Sequence, residues 1–199
     1  MAMLQRLYLV RHGETAWSLS GQHTGRTDIP LTDQGEQDAR ELAERLRDVK
    51  FNRVFTSPLQ RARRTSELAA LNTVAEIEPD LAEWDYGDYE GQRAGDIRKG
   101  RPDWNIFRDG CPNGESPAQV SGRADRLIAR LRTLDGDVAI FSHGHFGRVL
   151  AARWIGLPLE QAKHFLLSTA SLSILGYGII SSKSRPSSCG MQYRLENHR

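Results

Sequence analysis

The sequence predicts an α/β domain with a mostly parallel sheet, and three observations carry that prediction. Short apolar runs alternate along the chain with longer segments of helical period. Two of the runs, Leu7–Val10 and Val138–Phe141, read as fully buried strands. Each of them ends abruptly in a polar cluster, "RHGE" at Arg11–Glu14 and "SHGH" at Ser142–His145. Strand and helix alternating in this way is the pattern of parallel strands joined by crossover helices.

After the first strand, "PLTDQGEQDARELAERLRD" predicts a helix with Thr32 as N-cap and Ala39, Leu42, Ala43 and Leu46 on one face. "RVFTSP" reads as a short strand, followed by a helix with Ser57 as N-cap and Pro58 at its first position. Leu71–Ile77 is another short strand. Positions 84–115 are rich in Gly, Asp, Trp and Pro with little periodicity, which predicts a long, mostly irregular excursion of the kind often used as a lid. Ser116-Pro117 repeats the cap device, and Val120, Ala124, Leu127, Leu131 and Leu134 form a helical stripe. A helix over Gly147–Ile155 follows the strand Val138–Phe141, and "TASLSILGYGII" is the last strand candidate. Residues 1–199 read as one domain, with a turn-like tail over 181–199.

Hydrophobic residues make up 39% and charged residues 26%, with a formal net charge of +2. So small a charge argues against nucleic acid or a membrane surface as a partner. Any attraction for anions has to come from local clusters of arginine. The N-terminal apolar run is too short for a signal peptide, and no run approaches the ~18 apolar residues of a membrane helix. The expectation is a cytoplasmic protein, in which Cys111 and Cys189 stay reduced rather than pair.

Ligands of open α/β sheets bind outside the carboxyl ends of the strands. Arg11-His12-Gly13, Ser57-Pro58 with Arg61 behind it, and His143-Gly144-His145 all fall at such ends. If these strands are neighbours, two arginines, two histidines and a helix N-terminus converge, which suits a small doubly charged anion, phosphate first. Arginine forms paired, charge-assisted bonds with phosphate oxygens, and free backbone N–H groups add to them. Gly13 and Gly144 would let backbone approach the ligand. A neutral imidazole kept so by nearby arginines can attack phosphorus. The leaving alkoxide then needs a proton from a carboxylic acid. Glu83, opening "EWDYGDYEG", is the candidate, with Asp85, Asp88 and Glu90 as alternatives. His143 and His145 could instead be a metal pair, but no carboxylate or thiol lies near them in sequence. No cofactor is expected. His23 is a candidate substrate contact, and Trp84, Tyr86, Trp104 and Phe107 either line the excursion or pack it.

At these residues the chain resembles the histidine phosphatase superfamily, the phosphoglycerate-mutase-like proteins. "LVRHGET.W", "TGRTDIPLTDQG", "SPLQRARRT", "LAEWDYGDYEG", "GES" and "SHGH" follow in that family's order, from Leu7 to about Tyr177. The resemblance implies a three-layer sandwich, a mostly parallel central sheet flanked by helices. It implies that His12 becomes phosphorylated, that Arg11, Arg61 and His143 complete the phosphate pocket, and that Glu83 is the proton donor. It also places the Gly144 N–H on the phosphate, and Thr24 and Gly25 with the substrate-binding residues. Many members carry Asn where this chain has Ser18, so that contact is shorter here. Trp84 and Asp85 replace a basic pair of the mutases, which points to the phosphatase branch, sugar-phosphate and sugar-bisphosphate phosphatases and actinobacterial acid phosphatases among them. The implied function is metal-independent hydrolysis of a small phosphorylated metabolite. A phosphoglycerate mutase and a non-catalytic phospho-ligand binding module are the alternatives, and assembly as a homo-oligomer stays open.

Overall fold

The computed structural model describes residues 6–69 and 74–176. Its centre is a sheet in the order β3-β2-β4-β1-β5. The strands are β1 (Arg6–Arg11), β2 (Phe51–Thr56), β3 (Glu76–Ile77), β4 (Asp137–Ser142) and β5 (Leu172–Gly176). β1 to β4 pair in parallel, and β5 lies antiparallel to β1 at the edge. The helices are α1 (Ala16–Ser20), α2 (Asp33–Leu46), α3 (Gln60–Leu68), α4 (Ala94–Gly100), α5 (Ile106–Asp109), α6 (Pro117–Leu131) and α7 (Gly144–Trp154).

The two-residue period of the strands sorts their side chains onto two faces. Leu7, Leu9, Phe55, Val138 and Ile140 enter one apolar cluster with α6 and α7. Tyr8, Val10, Val54, Ala139 and Phe141 enter the other with Leu42 and Leu46 of α2. Helices therefore cover both faces, and the three layers follow. On α6, Val120, Leu127, Ile128 and Leu131 are each at most 4% exposed, a burial worth roughly 1.5–3 kcal/mol per side chain.

Two of the three expected caps are present. Thr32 Oγ1 accepts the Gly35 N–H at 3.0 Å, and Ser116 forms a capping box with Gln119 at the start of α6. The third is not: α3 begins at Gln60, and Ser57 is still part of the strand exit, its amide donating to Phe141 O at 2.9 Å. Asp28 caps α3 instead, its Oδ1 accepting the Gln60 N–H at 2.8 Å. α7 starts three residues earlier than the pattern predicts, directly after His143. The 84–115 segment is less irregular than expected. It holds α4, α5 and a 3-10 turn at Gly87–Tyr89, pieces too short to show a helical period. Its Trp84, Tyr86, Trp104 and Phe107 are buried in the core.

Of the strand expected over 71–77, residues 71–73 lie outside the described residues, and the pairing seen is Glu76–Ile77. Residues 177–180 of the last strand candidate, the tail and Cys189 also lie outside them. Cys111 is a buried free thiol whose pKa burial pushes up to about 12. No helix among the described residues is long and apolar enough to cross a membrane.

Candidate active site

Parallel register brings the strand ends together. Arg11 pairs with Ser142 across β1 and β4, and Thr56 with Phe141 across β2 and β4. The His12 amide donates to Ser142 O at 3.0 Å, so the chain leaves β1 still locked to β4. A cleft of about 320 Å³ opens at this edge, lined by Arg11, His12, Ser18, Glu83, Gly144 and Arg148 among others.

His12 is held for one task. Its Nδ1 lies 2.6 Å from the Gly13 carbonyl oxygen, which can only accept, so Nδ1 carries the proton. Nε2 is left with its lone pair and has no partner among the described residues. Burial lowers the His12 pKa well below 6.5, and the Arg61 and Arg11 charges lower it further. The imidazole is therefore neutral at pH 7. Gly13 does not serve ligand approach as expected: a Cβ there would lie 2.4 Å from Gly35 O, so it lets this loop pack on α2.

Arg11, Gly144 and Glu83 form the wall beside His12. Arg11 Nη1 donates to Leu167 O at 2.6 Å, while its buried Nε has no partner. A Cβ on Gly144 would lie 3.4 Å from Arg11 Cζ and 3.6 Å from Glu83 Oε2, so these groups meet at the start of α7. The Gly144 N–H, the first of the helix, has no partner among the described residues. Glu83 accepts the amides of Phe146 at 2.8 Å, Trp84 at 2.9 Å and His145 at 3.1 Å. Of the four acids weighed from the sequence, Glu83 is the one that lines the cleft. Asp85 accepts the Gly87 amide and pairs with Arg26, Asp88 pairs with Asn113, and Glu90 accepts the amides of Gly25 and Thr27.

Arg61 and His143 sit beneath the cleft rather than in its lining. Arg61 is 0% exposed; its Nε donates to His143 Nδ1 at 3.2 Å, and its Nη groups donate to the carbonyls of Thr24, Gly25 and Thr27. Four of its five donors are thus spent on protein, and the paired phosphate contact expected of Arg61 is absent from this arrangement. Its structural result is the 24–27 loop, strapped between Arg61 on its carbonyls and Glu90 on its amides. With Nδ1 accepting, His143 Nε2 donates to Ser57 Oγ at 2.7 Å. Burial, then Arg61, keeps His143 neutral as well, its ring centroid 5.2 Å from that of His12.

The remaining candidates divide. Ser18 lines the cleft, but its hydroxyl is tied into a reciprocal cap with Thr15. His23 and Thr24 line it too, whereas Gly25 lies behind it. His23 stacks on Tyr86 at 4.6 Å, and burial with Arg98 lowers its pKa to about 4. His145 shares a 2.6 Å hydrogen bond between its Nδ1 and the Tyr86 hydroxyl. The two histidines of "SHGH" thus engage different partners, and no group of three or more metal-ligating side chains occurs among the described residues.

Two residues that hold the acid went unread in the sequence, Arg123 and Glu115. The Arg123 guanidinium donates to Glu115 Oε1 and Oε2 at 3.0 and 2.8 Å, and to the carbonyls of Asp80, Ala82 and Glu83. Glu115 Oε2 also accepts the Asp85 amide, and its carbonyl accepts Trp84 Nε1. The pair clamps residues 80–85 around Glu83. "GES" followed eight residues later by an arginine inside an apolar helical stripe was the available signal. Arg123→Met leaves the Glu115 carboxylate unpaired, and urea unfolding should show a loss of about 3–5 kcal/mol. A loss under ~1 kcal/mol, the scale of an exposed pair, would mean the segment is held by other contacts.

A free imidazole nitrogen, unpartnered donors and a carboxyl group around one cleft define an α/β enzyme site for histidine-centred phosphoryl chemistry. Residues 7–179 match the histidine phosphatase superfamily (branch 1), and the chain belongs to that family. It is a hydrolase of the histidine phosphatase type. It is 46% identical over 176 residues to an acid phosphatase of Mycobacterium tuberculosis, the match covering 86% of each chain. It is 38% identical to the sedoheptulose 1,7-bisphosphatase of Saccharomyces cerevisiae, over 80% of this chain and 71% of that one. A solved Mycobacterium tuberculosis structure superposes with a TM-score of 0.85 at 44% identity, covering 88% of this chain and 93% of that one.

Proposed function

We propose that the protein hydrolyses phosphomonoesters of small metabolites, sugar phosphates or sugar bisphosphates, through a phosphohistidine at His12 and without a metal ion. The observation that carries this reading is the juxtaposition of the bare His12 Nε2 with two unpartnered donors, Arg11 Nε and the Gly144 N–H. The donors bind the phosphoryl oxygens and oppose the charge that develops on them. Nε2 attacks phosphorus, the N–P bond forms, the P–O bond to the alcohol breaks, and Glu83 gives its proton to the leaving oxygen. Water then attacks the phosphohistidine, Glu83 takes back a proton, the N–P bond breaks and phosphate leaves. Arg61 acts from beneath by its charge, and by holding the 24–27 loop in place. The sugar-bisphosphatase name of the yeast relative and the acid-phosphatase name of the mycobacterial one support hydrolysis.

The test is turnover of p-nitrophenyl phosphate and a panel of sugar phosphates in excess chelator. Full activity with phosphate release is expected. Activity that disappears with chelator and returns with a divalent cation would overturn the metal-free reading. Conversion of 3-phosphoglycerate to 2-phosphoglycerate without phosphate release would make the protein a mutase.

A further inference from the structure

The hydrolysis above leaves one charged residue of the cleft without a task. Three charged side chains line the cleft: Arg11, Glu83 and Arg148. The lining histidines add no charge, since burial lowers the pKa values of His12, His23 and His145. Arg11 faces the phosphoryl group and Glu83 the leaving oxygen. Arg148 stands on α7 four residues after Gly144, on the same face and about 6 Å further along the axis. Helical side chains lean toward the N-terminus, so Arg148 reaches back over the turn that meets the phosphate.

Its guanidinium is fixed from behind. Nε donates to Ala162 O at 3.1 Å, Nη2 to Lys163 O at 3.0 Å, and Cζ lies 4.7 Å from the Phe107 ring centroid. Nη1 has no hydrogen-bond partner among the described residues, and Arg148 forms no ion pair there. A half-buried, oriented cation with no counter-ion is costly unless a ligand supplies one. A second observation comes from the same wall. His23 is 8% exposed and its buried Nε2 lacks a partner, so this wall is not satisfied by protein groups alone.

We propose that Arg148 is a specificity residue, its free Nη1 edge binding a second anionic group, phosphate or carboxylate, on the leaving alcohol a short carbon chain away from the scissile ester. The proposal rests on the phosphomonoesterase reading for the placement of that ester. It narrows the substrate class to phosphorylated metabolites with two anionic ends, and it explains why an arginine occupies a wall otherwise made of neutral and apolar groups.

Two matched pairs of probes test it. 3-Phosphoglycerate and glycerol 3-phosphate differ by a carboxylate; fructose 1,6-bisphosphate and fructose 6-phosphate differ by a phosphate. The protein should favour the doubly anionic member of at least one pair by tenfold or more in kcat/KM, and the preferred pair tells phosphate from carboxylate. In Arg148→Gln that preference ratio should fall about 10- to 100-fold, chiefly through KM, and Arg148→Lys should restore part of it. An unchanged ratio in Arg148→Gln, or no preference in the unsubstituted protein for either pair, overturns the proposal. Calorimetric titration of the same pairs onto His12→Ala protein reads the subsite without turnover. If no ester is hydrolysed, the phosphomonoesterase reading fails, while the difference in affinity within each pair still decides the role of Arg148.

Discussion

His12→Ala should lose turnover of every phosphomonoester by about 10⁴-fold or more, with phosphate binding largely kept. The substitution removes Nε2 and nothing else that the reaction uses. Arg11 Nε and the Gly144 N–H stay beside the vacated position, and Glu83 keeps its three amide donors. Unsubstituted protein quenched during turnover should carry phosphate that is labile in acid and stable in base, and His12→Ala protein should carry none. Inorganic phosphate should bind the variant within about tenfold of its affinity for the unsubstituted protein, because charge-assisted donors rather than the imidazole hold it. Turnover within tenfold of the original would sink the phosphohistidine. The electrostatics make the result specific to this histidine. Burial, Arg61 and Arg11 all lower its pKa, so the neutral, attacking form persists as the pH falls below 6.5.

The strand-end argument made most of this site legible from sequence. Arg11, His12 and the Gly144 amide needed only the strands' parallel neighbourhood, which alternation of apolar runs and helical stripes supplies. Glu83 was legible through its block, and its choice over Asp85, Asp88 and Glu90 follows from the cleft lining. What escaped depends on partners distant in sequence. Arg61 reads as an anion binder because it opens a helix behind a strand, yet the carbonyls of Thr24, Gly25 and Thr27 consume its donors. Ser57-Pro58 has the cap signature, but the amide of Ser57 is taken by the sheet and its hydroxyl by His143. Arg123 and Glu115 sit in different elements, and nothing in either's local pattern shows that they meet. Arg148 hides in an apolar helix whose pattern reads as core. Local propensity fixes where chemistry-bearing residues leave a strand; the division of their donors between protein and ligand is settled by tertiary contacts.

Glu83→Gln should separate the two halves of the reaction. Its charged oxygens accept three amides, two at Oε1 and one at Oε2, so an isosteric amide keeps the Oε1 pair and loses the acceptor for the His145 N–H. The segment stays clamped by Arg123, and thermal unfolding should move only modestly. What is lost is the proton. Alkyl phosphates expel a strongly basic alkoxide, and their kcat/KM should fall about 10²- to 10⁴-fold. p-Nitrophenyl phosphate expels a stable phenolate that needs no acid, so its kcat/KM, which reports the phosphorylation step alone, should fall less than tenfold. Its kcat tells a different story, because hydrolysis of the phosphohistidine still needs a base for water. The expected trace is a burst of nitrophenolate equal to the enzyme concentration, followed by slow turnover with phosphohistidine accumulating. A single slow phase with no burst, together with equal losses of kcat/KM on alkyl and aryl esters, would move the acid to another residue. Asp85 and Glu90 are already engaged by backbone amides, and Tyr86, whose pKa burial and Glu83 push well above its ordinary value, is bonded to His145. The carboxyl group with both an open path to the leaving oxygen and a rigid seat is Glu83, and the burst measures that combination directly.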